Sequence, residues 1–245
     1  MPRTATRRHW KRWVIGGVAA IVVVVVGGTF VYIHFIEGKA PAPLSLSTKT
    51  TTTVNPGQPG ATTTRAAGAA STTVDGTWNI ATGSVAGYRI KETLFGQSNT
   101  AVGRTSTITG SITINGTHVT AGNFSVDMTT VKSDQGQRDN QFQGRIMETA
   151  TFPRATFTLT QPIQLGSVPA AEQTVTETAT GTLTLHGTTK TVTFPVQARR
   201  SGTAMAVSGS IPIVFSDYGI NHPSGGPATT ASSGTLEFLL NFSHA

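Results

Sequence analysis

The chain has 245 residues, contains no cysteine and carries a formal net charge of +7. Without cysteine it has no disulfide, no thiolate metal site, no nucleophilic cysteine and no cysteine-linked lipid. The charge does not predict a nucleic-acid partner, because five basic residues lie within the first twelve positions and, after residue 76, ten basic residues accompany nine acidic ones.

A long apolar segment near the N-terminus predicts a membrane anchor. The 23 residues from 14 to 36 carry no formal charge, and at 1.5 Å per residue a helix of this length crosses ~30 Å of hydrocarbon. The segment is too long for a cleaved signal peptide, whose apolar part spans about 7 to 15 residues. Residues 1–13 are basic, which predicts a cytoplasmic tail and an extracytoplasmic C-terminal part of a single-pass plasma membrane protein.

Residues 37–75 are rich in Thr, Pro, Gly and Ala and show no apolar periodicity. This composition is typical of a disordered linker, because it offers too little apolar surface to form a core. A flexible coil of this length has a root-mean-square reach of ~35 Å. We therefore expect the C-terminal domain to remain near the membrane.

Residues 76–245 alternate between apolar and polar side chains, which predicts one all-β domain. The predicted strands are 87–95, 104–114, 117–130, 156–163, 174–185, 189–199, 204–215 and 235–242. Asn115 and Gly116 predict a tight hairpin turn, and residues 135–147 predict one short helix. About eight antiparallel strands favour a closed or nearly closed barrel, which leaves no exposed sheet edge.

The apolar residues of these strands share one face, as the period of two requires. A porin-like barrel would alternate in the same way, but the N-terminal anchor and the few scattered Trp and Tyr residues argue against it. We therefore predict an apolar interior. Its candidate pocket-lining residues are Phe124, Val126, Met128, Phe157, Leu159, Leu183, Leu185, Val192, Phe194, Val196, Ile213, Phe215 and Phe238.

Two motifs carry a resemblance to a known family. Arg138-Asp139 precedes Phe152-Pro153, and residues 181–190 read GTLTLHGTTK, with His186, Gly187 and Lys190 in the turn. These motifs resemble the paired signatures of the YceI-like family of bacterial periplasmic proteins. The resemblance implies a lipocalin-like antiparallel barrel of eight strands that binds a polyisoprenoid or fatty-acid-like lipid.

The polar residues of these motifs are interpreted as mainly structural. An Arg-Asp pair at a helix start commonly caps and orients the helix, and a histidine beside a turn glycine commonly bonds to the backbone. The histidines show no metal-binding spacing, and no catalytic or cofactor-binding motif is present. We expect no enzyme activity, no metal and no cofactor.

The sequence therefore predicts a membrane-anchored extracytoplasmic binding protein for a long apolar lipid. The lipid would lie inside the barrel, and the helix would hold the domain near the membrane. The alternative is a structural or interaction module of the cell envelope. Its barrel would be filled by its own side chains, and its loops would contact another envelope protein.

Overall fold

The computed structural model describes residues 40–46, 74–94, 96–221 and 228–245. The predicted anchor, residues 14–36, and most of the predicted linker lie outside these ranges. Within them, no helix has the length and apolarity needed to cross a bilayer. The strands are β1 (Gly76–Ile80), β2 (Val85–Leu94), β3 (Gln97–Thr105), β4 (Ile108–Asn115), β5 (His118–Asp127), β6 (Arg154–Leu159), β7 (Ile163–Gln164), β8 (Thr174–Leu185), β9 (Thr188–Ser201), β10 (Ala204–Val214), β11 (Ala228–Thr230) and β12 (Ser233–His244).

Eight of these strands form a closed antiparallel barrel. Its order is β1, β4, β5, β6, β8, β9, β10 and β12, and β12 pairs again with β1. Strand β1 closes the ring because Trp78 pairs with Ile112 of β4 on one side and with His244 of β12 on the other. Strand β2 extends the wall beside β12, and it pairs with β12, β3 and β11. The predicted all-β barrel with one short helix is confirmed.

Several strands differ from the sequence prediction, because β1, β11 and residues 97–103 of β3 were not predicted as strands. Strand β1 was not predicted, because five residues with two large apolar side chains, Trp78 and Ile80, give too short a pattern. The predicted strand 104–114 is two strands, since β3 ends at Thr105 and β4 begins at Ile108. The strand is interrupted there, where the Thr105 hydroxyl accepts a hydrogen bond from the Thr107 amide at 3.0 Å and lies 2.6 Å from the Thr130 hydroxyl.

One short helix, α1 (Gly136–Gln141), continues as a π-helical turn, Phe142–Ile146. It lies where β5, β8 and β10 end and where β6, β9 and β12 begin, which we call the helix end of the barrel. The opposite end, called the hairpin end, carries the β4–β5 turn. Each end has its own cluster of buried apolar residues, and Val126, Leu159, Ile163 and Phe238 contact both clusters.

Gly181 of β8 makes room for a phenylalanine ring. A Cβ at this position would lie 2.4 Å from both the Phe157 ring and the Thr158 carbonyl oxygen. We expect Gly181→Ala to lower the free energy of unfolding by about 1–3 kcal/mol, as overpacking does. Chemical denaturation measures this change. Gly144→Ala is the control, because nothing lies within 4 Å of a Cβ there; an equal loss for both variants would contradict the close-packing argument.

His244 joins the C-terminus to β1 and predicts a pH-dependent stability. Its ring nitrogens lie 2.9 Å from the Asp75 carbonyl oxygen and 3.1 Å from the Ala245 carbonyl oxygen. The backbone bond to Asp75, followed by that to Ala245, raises the pKa of His244 above its ordinary value. The stabilisation is therefore complete below pH ~6.5 and is lost as the pH rises through the raised pKa.

The measurement is the denaturation midpoint of wild type, of His244→Gln and of His118→Gln between pH 5 and pH 9, a range spanning ~4 units around the histidine reference value. We expect the wild type and the exposed His118 variant to lose stability together as the pH rises. The His244 variant should lack this component. A His244→Gln profile parallel to wild type would contradict the assignment.

Candidate ligand cavity in the barrel

An apolar cavity of about 330 Å³ runs along the inside of the barrel. Its wall includes Phe142 and Leu185 at the helix end and Val119 and Met205 at the hairpin end. The space exists because small residues stand on the inner face of several strands. These residues are Ala86, Ala101, Gly122, Ala155, Ala179 and Ala198.

Twelve of the thirteen apolar residues predicted to line a pocket border this cavity. They are Phe124, Val126, Met128, Phe157, Leu159, Leu183, Leu185, Phe194, Val196, Ile213, Phe215 and Phe238. Val192 is not part of the wall and instead packs against the core cluster at the helix end. The alternation therefore identified the inward face of the strands that it covered.

Other wall residues were missed by sequence reasoning. The alanines escaped because a search for large apolar side chains passes over the small ones that create the space. Tyr88 and Phe142 escaped because the first lies in a strand with mixed polarity and the second in the helix. For Tyr88 a signal was present, since Tyr88 alternates with Ala86 and Ile90, which also line the cavity.

Five phenylalanine rings surround the cavity in a continuous band. Their centroids are separated by 6.0 Å from Phe242 to Phe124, 6.4 Å from Phe124 to Phe157, 5.5 Å from Phe157 to Phe194 and 6.0 Å from Phe194 to Phe238. The band begins and ends on β12, at Phe242 and Phe238. These separations lie within the range of favourable aromatic pairs.

The helix end combines an aromatic stack with an ion pair. The rings of Tyr88 and Phe142 stack with centroids 5.0 Å apart. Nearby, an Arg138 nitrogen lies 3.0 Å from a Glu92 carboxylate oxygen, and Arg138 also pairs with Asp134. Burial raises the pKa of Tyr88 far above its ordinary value, so its phenol stays neutral. Arg138 is therefore paired with both Glu92 and Asp134 at this end.

The hairpin end carries further polar groups in the cavity wall. Glu177, Arg199 and Arg200 border the cavity there. Among the described residues, no group accepts a hydrogen bond from the buried Nε of Arg200. Both ends therefore offer polar atoms, whereas the wall between them is mostly apolar. Such a wall can bury an alkyl or isoprenoid chain, and the polar atoms at the ends can bind a polar head group.

The residues of the two sequence motifs lie around the helix end. Asp139 accepts hydrogen bonds at 2.7 Å from both the amide and the hydroxyl of Ser133, and Lys132 lies 3.7 Å from its other oxygen. Arg138 is the member of this set that borders the cavity. The Pro153 carbonyl accepts a bond from the Met128 amide at 2.9 Å, and Lys190 is exposed.

His186 and Gly187 form the turn between β8 and β9. The His186 ring packs edge-on against Phe152, with centroids 4.6 Å apart, and its Nδ1 lies 3.2 Å from the Tyr218 carbonyl oxygen. Its Nε2 lies 4.0 Å from Glu148. Gly187 has a φ of +73° and contacts the same Phe152 ring. Across the described ranges, no three His, Asp or Glu side chains are grouped as metal ligands.

The environment of Asp139 predicts a structural role. Asp139→Ala removes the carboxylate that accepts two hydrogen bonds, and the Ser133 amide loses its acceptor. We therefore expect the free energy of unfolding to fall by about 1–3 kcal/mol. Asp139→Asn keeps an oxygen at that place and should retain most of the stability. Denaturation and lipid uptake are measured together. A selective loss of uptake without destabilisation would contradict the structural role.

The fold and the sequence can be compared with known proteins. A polyisoprenoid-binding domain from Saccharophagus degradans matches with a TM-score of 0.56 and 20% identity, over 69% of this chain and 98% of that one. Burkholderia cenocepacia BcnA matches with a TM-score of 0.49 and 19% identity, over 63% and 95%. The Campylobacter jejuni YceI protein matches with a TM-score of 0.44 and 15% identity, over 57% and 83%.

No curated protein sequence is significantly similar to the chain. The similarity to the Saccharophagus structure supports the barrel fold. A sequence model described as the YceI-like domain matches residues 49–242, which include the barrel strands β1 to β10 and most of β12. The chain therefore belongs to the YceI-like family.

Proposed function

We propose that this protein binds one long apolar lipid, a polyisoprenoid or a fatty-acid-like molecule, inside the barrel. The observation that carries the proposal is the apolar cavity of about 330 Å³ that extends between the two ends. A barrel of about eight strands is wide enough for its own side chains or for one small ligand. The small residues of the wall favour the second use.

The energetics favour a long chain over a compact ligand. Each methylene transferred from water to an apolar wall contributes ~0.8 kcal/mol. The wall is mostly apolar along its whole length, and all of its charged residues except Glu237 lie near the ends. The Saccharophagus protein is described as a polyisoprenoid-binding domain, which makes an isoprenoid the first probe to use. Binding, rather than catalysis, is the activity proposed.

The ligand is tested on the full chain, extracted into polymer-bounded discs because a detergent would compete for the cavity. Native mass spectrometry should find a lipid bound to the chain in a ratio of one to one. The emptied protein should bind a fluorescent fatty acid, and farnesol should displace it. Absence of both a co-purified lipid and uptake would contradict the proposal and favour an envelope interaction module with a filled barrel.

We also propose that residues 14–36 anchor the protein with the barrel on the extracytoplasmic side. The apolar length and the basic residues before it support this orientation. The protein should remain in the membrane pellet after alkaline carbonate extraction. Protease added outside spheroplasts should digest the barrel and spare residues 1–13. Release of the protein by carbonate would contradict the anchor, and digestion of the tail would contradict the orientation.

A further inference from the structure

A buried charge cluster lies on the outer face of the barrel wall. Glu237 also borders the cavity, but it lies on β12 between Leu236 and Phe238, whose side chains line the interior, so the alternation of the strand turns its own side chain outward. It is nevertheless only 3% exposed. One carboxylate oxygen lies 2.8 Å from Arg104 and the other lies 3.3 Å from Arg89. An outward carboxylate is therefore shielded from solvent.

A glycine between the charged residues allows this contact. Glu237 of β12 pairs with Gly87 of β2, and Gly87 pairs with Arg104 of β3. A Cβ at Gly87 would lie 2.0 Å from the Gly103 carbonyl oxygen and 2.9 Å from Cγ of Arg104. With no side chain at Gly87, Arg104 reaches across the middle strand to Glu237. Three neighbouring strands thus contribute to one cluster.

The cluster is covered by a segment from the predicted linker. Residues 40–46 lie on this wall, and their hydrogen bonds to the cluster are made by main-chain atoms. Arg89 donates to the Pro41 carbonyl at 2.6 Å, Arg104 donates to the Ala42 carbonyl, and the Leu44 amide donates to Glu237 at 3.3 Å. Two guanidinium groups and one carboxylate leave one positive charge, which the carbonyl oxygens partly offset.

The side chains of this segment are suited to docking in an extended form. Leu44 and Leu46 are half-buried, whereas Ser45 between them is exposed. Pro41 and Pro43 restrict the backbone before it binds, so less conformational entropy is lost on docking. The wall therefore recognises the backbone of an extended, proline-containing segment, and two half-buried leucines add apolar contact.

We infer that residues 40–46 are an intramolecular ligand of the outer wall, bound at the site formed by Arg89, Arg104 and Glu237. The docked segment is called the strap. With residues 14–36 as the anchor proposed above, only residues 37–39 separate the anchor from the docked strap, and three extended residues span ~10 Å. A fully flexible linker of residues 37–75 would instead have a reach of ~35 Å. The strap would then hold one wall of the barrel against the membrane surface.

The strap is tested by distance measurement on the full chain, whose lack of cysteine allows clean labelling. Spin labels are placed at Ser45→Cys and Ser210→Cys, since Ser210 pairs with Glu237 from the adjacent strand and is exposed. We expect a short, narrow distance distribution that does not change on dilution. A broad distribution in this parent protein would overturn the proposal.

A change in the strap alone tests the site. Leu44→Pro removes the amide that donates to Glu237 and leaves the barrel unaltered, so it should broaden the distribution and increase proteolysis within residues 40–46 at least tenfold. Leu44→Ala keeps the amide and should retain most of the docked population. Equal behaviour of both variants would overturn the assigned contact.

Docking between copies is distinguished by mixing chains that each carry one label. The proposal predicts no short distance in such a mixture. A short distance there would show that the wall binds the segment of a second copy, which overturns an intramolecular strap. None of these measurements requires a lipid, so the strap and the proposed lipid binding can fail independently.

Discussion

Ala179→Phe is expected to abolish lipid uptake while the barrel stays folded. Ala179 is 3% exposed and lies in the cavity wall on β8, so a phenylalanine there places a ring in the space proposed for the lipid. We expect at least a tenfold loss of affinity, equivalent to about 1.4 kcal/mol. Titration with a fluorescent fatty acid measures the affinity, and chemical denaturation measures the stability.

The same substitution distinguishes an empty barrel from a filled one. Where the interior is already packed, adding a ring costs about 1–3 kcal/mol of stability. Where it holds a cavity, we expect less than about 1 kcal/mol, because the new ring occupies free space. Thr178→Phe is the matched control, since Thr178 precedes Ala179 on the same strand and is exposed. Unchanged uptake in Ala179→Phe would contradict binding in the cavity.

Phe142→Ala is expected to destabilise the protein and to accelerate lipid release. Phe142 is 7% exposed, stacks on Tyr88 at 5.0 Å and borders the cavity at the helix end. Truncation of a buried phenylalanine typically costs about 3–5 kcal/mol. It also removes one side of the aromatic stack that covers this end. Denaturation measures the first effect, and stopped-flow transfer to acceptor vesicles measures the second.

Phe152→Ala is the control that separates a loss of stability from faster lipid release at the helix end. The Phe152 ring packs against His186 near the same end but is not part of the cavity wall. Its loss should lower stability without changing the rate of release. If both variants release lipid at the wild-type rate, the helix end is not the exit. If both accelerate release equally, global destabilisation rather than the aromatic stack controls it.

Much of the barrel could be predicted from local patterns because a strand has a strict period of two. Phe194 and Val196 lie on the inner face, as their spacing predicts. The helix was predicted as 135–147, and the helical residues are 136–146. Strand β1 could not be predicted in this way, because Trp78 is placed by its pairing with both β4 and β12. Such pairing depends on residues far away in the sequence.

The strap lies within the predicted linker, and its position could not be predicted from local patterns either. Its composition indicates no structure of its own, and residues 40–46 form no helix or strand. Their position depends on Arg89, Arg104 and Glu237, which lie 48 to 193 residues away from their partners in the segment. Val74 is likewise 5% exposed although the predicted linker extends to residue 75. Composition alone cannot predict contacts between residues that lie so far apart in the sequence.

The sequence by itself determined that this protein has an all-β domain with an apolar face on each strand, because the direction of a side chain follows from its place in the alternation. Only the tertiary structure decided that this interior holds a cavity. Ala101, Ala155 and Ala179 lie on three different strands, and the space between them depends on strand order and register. Closure of the barrel brings these small residues around one interior, and no local pattern encodes that arrangement.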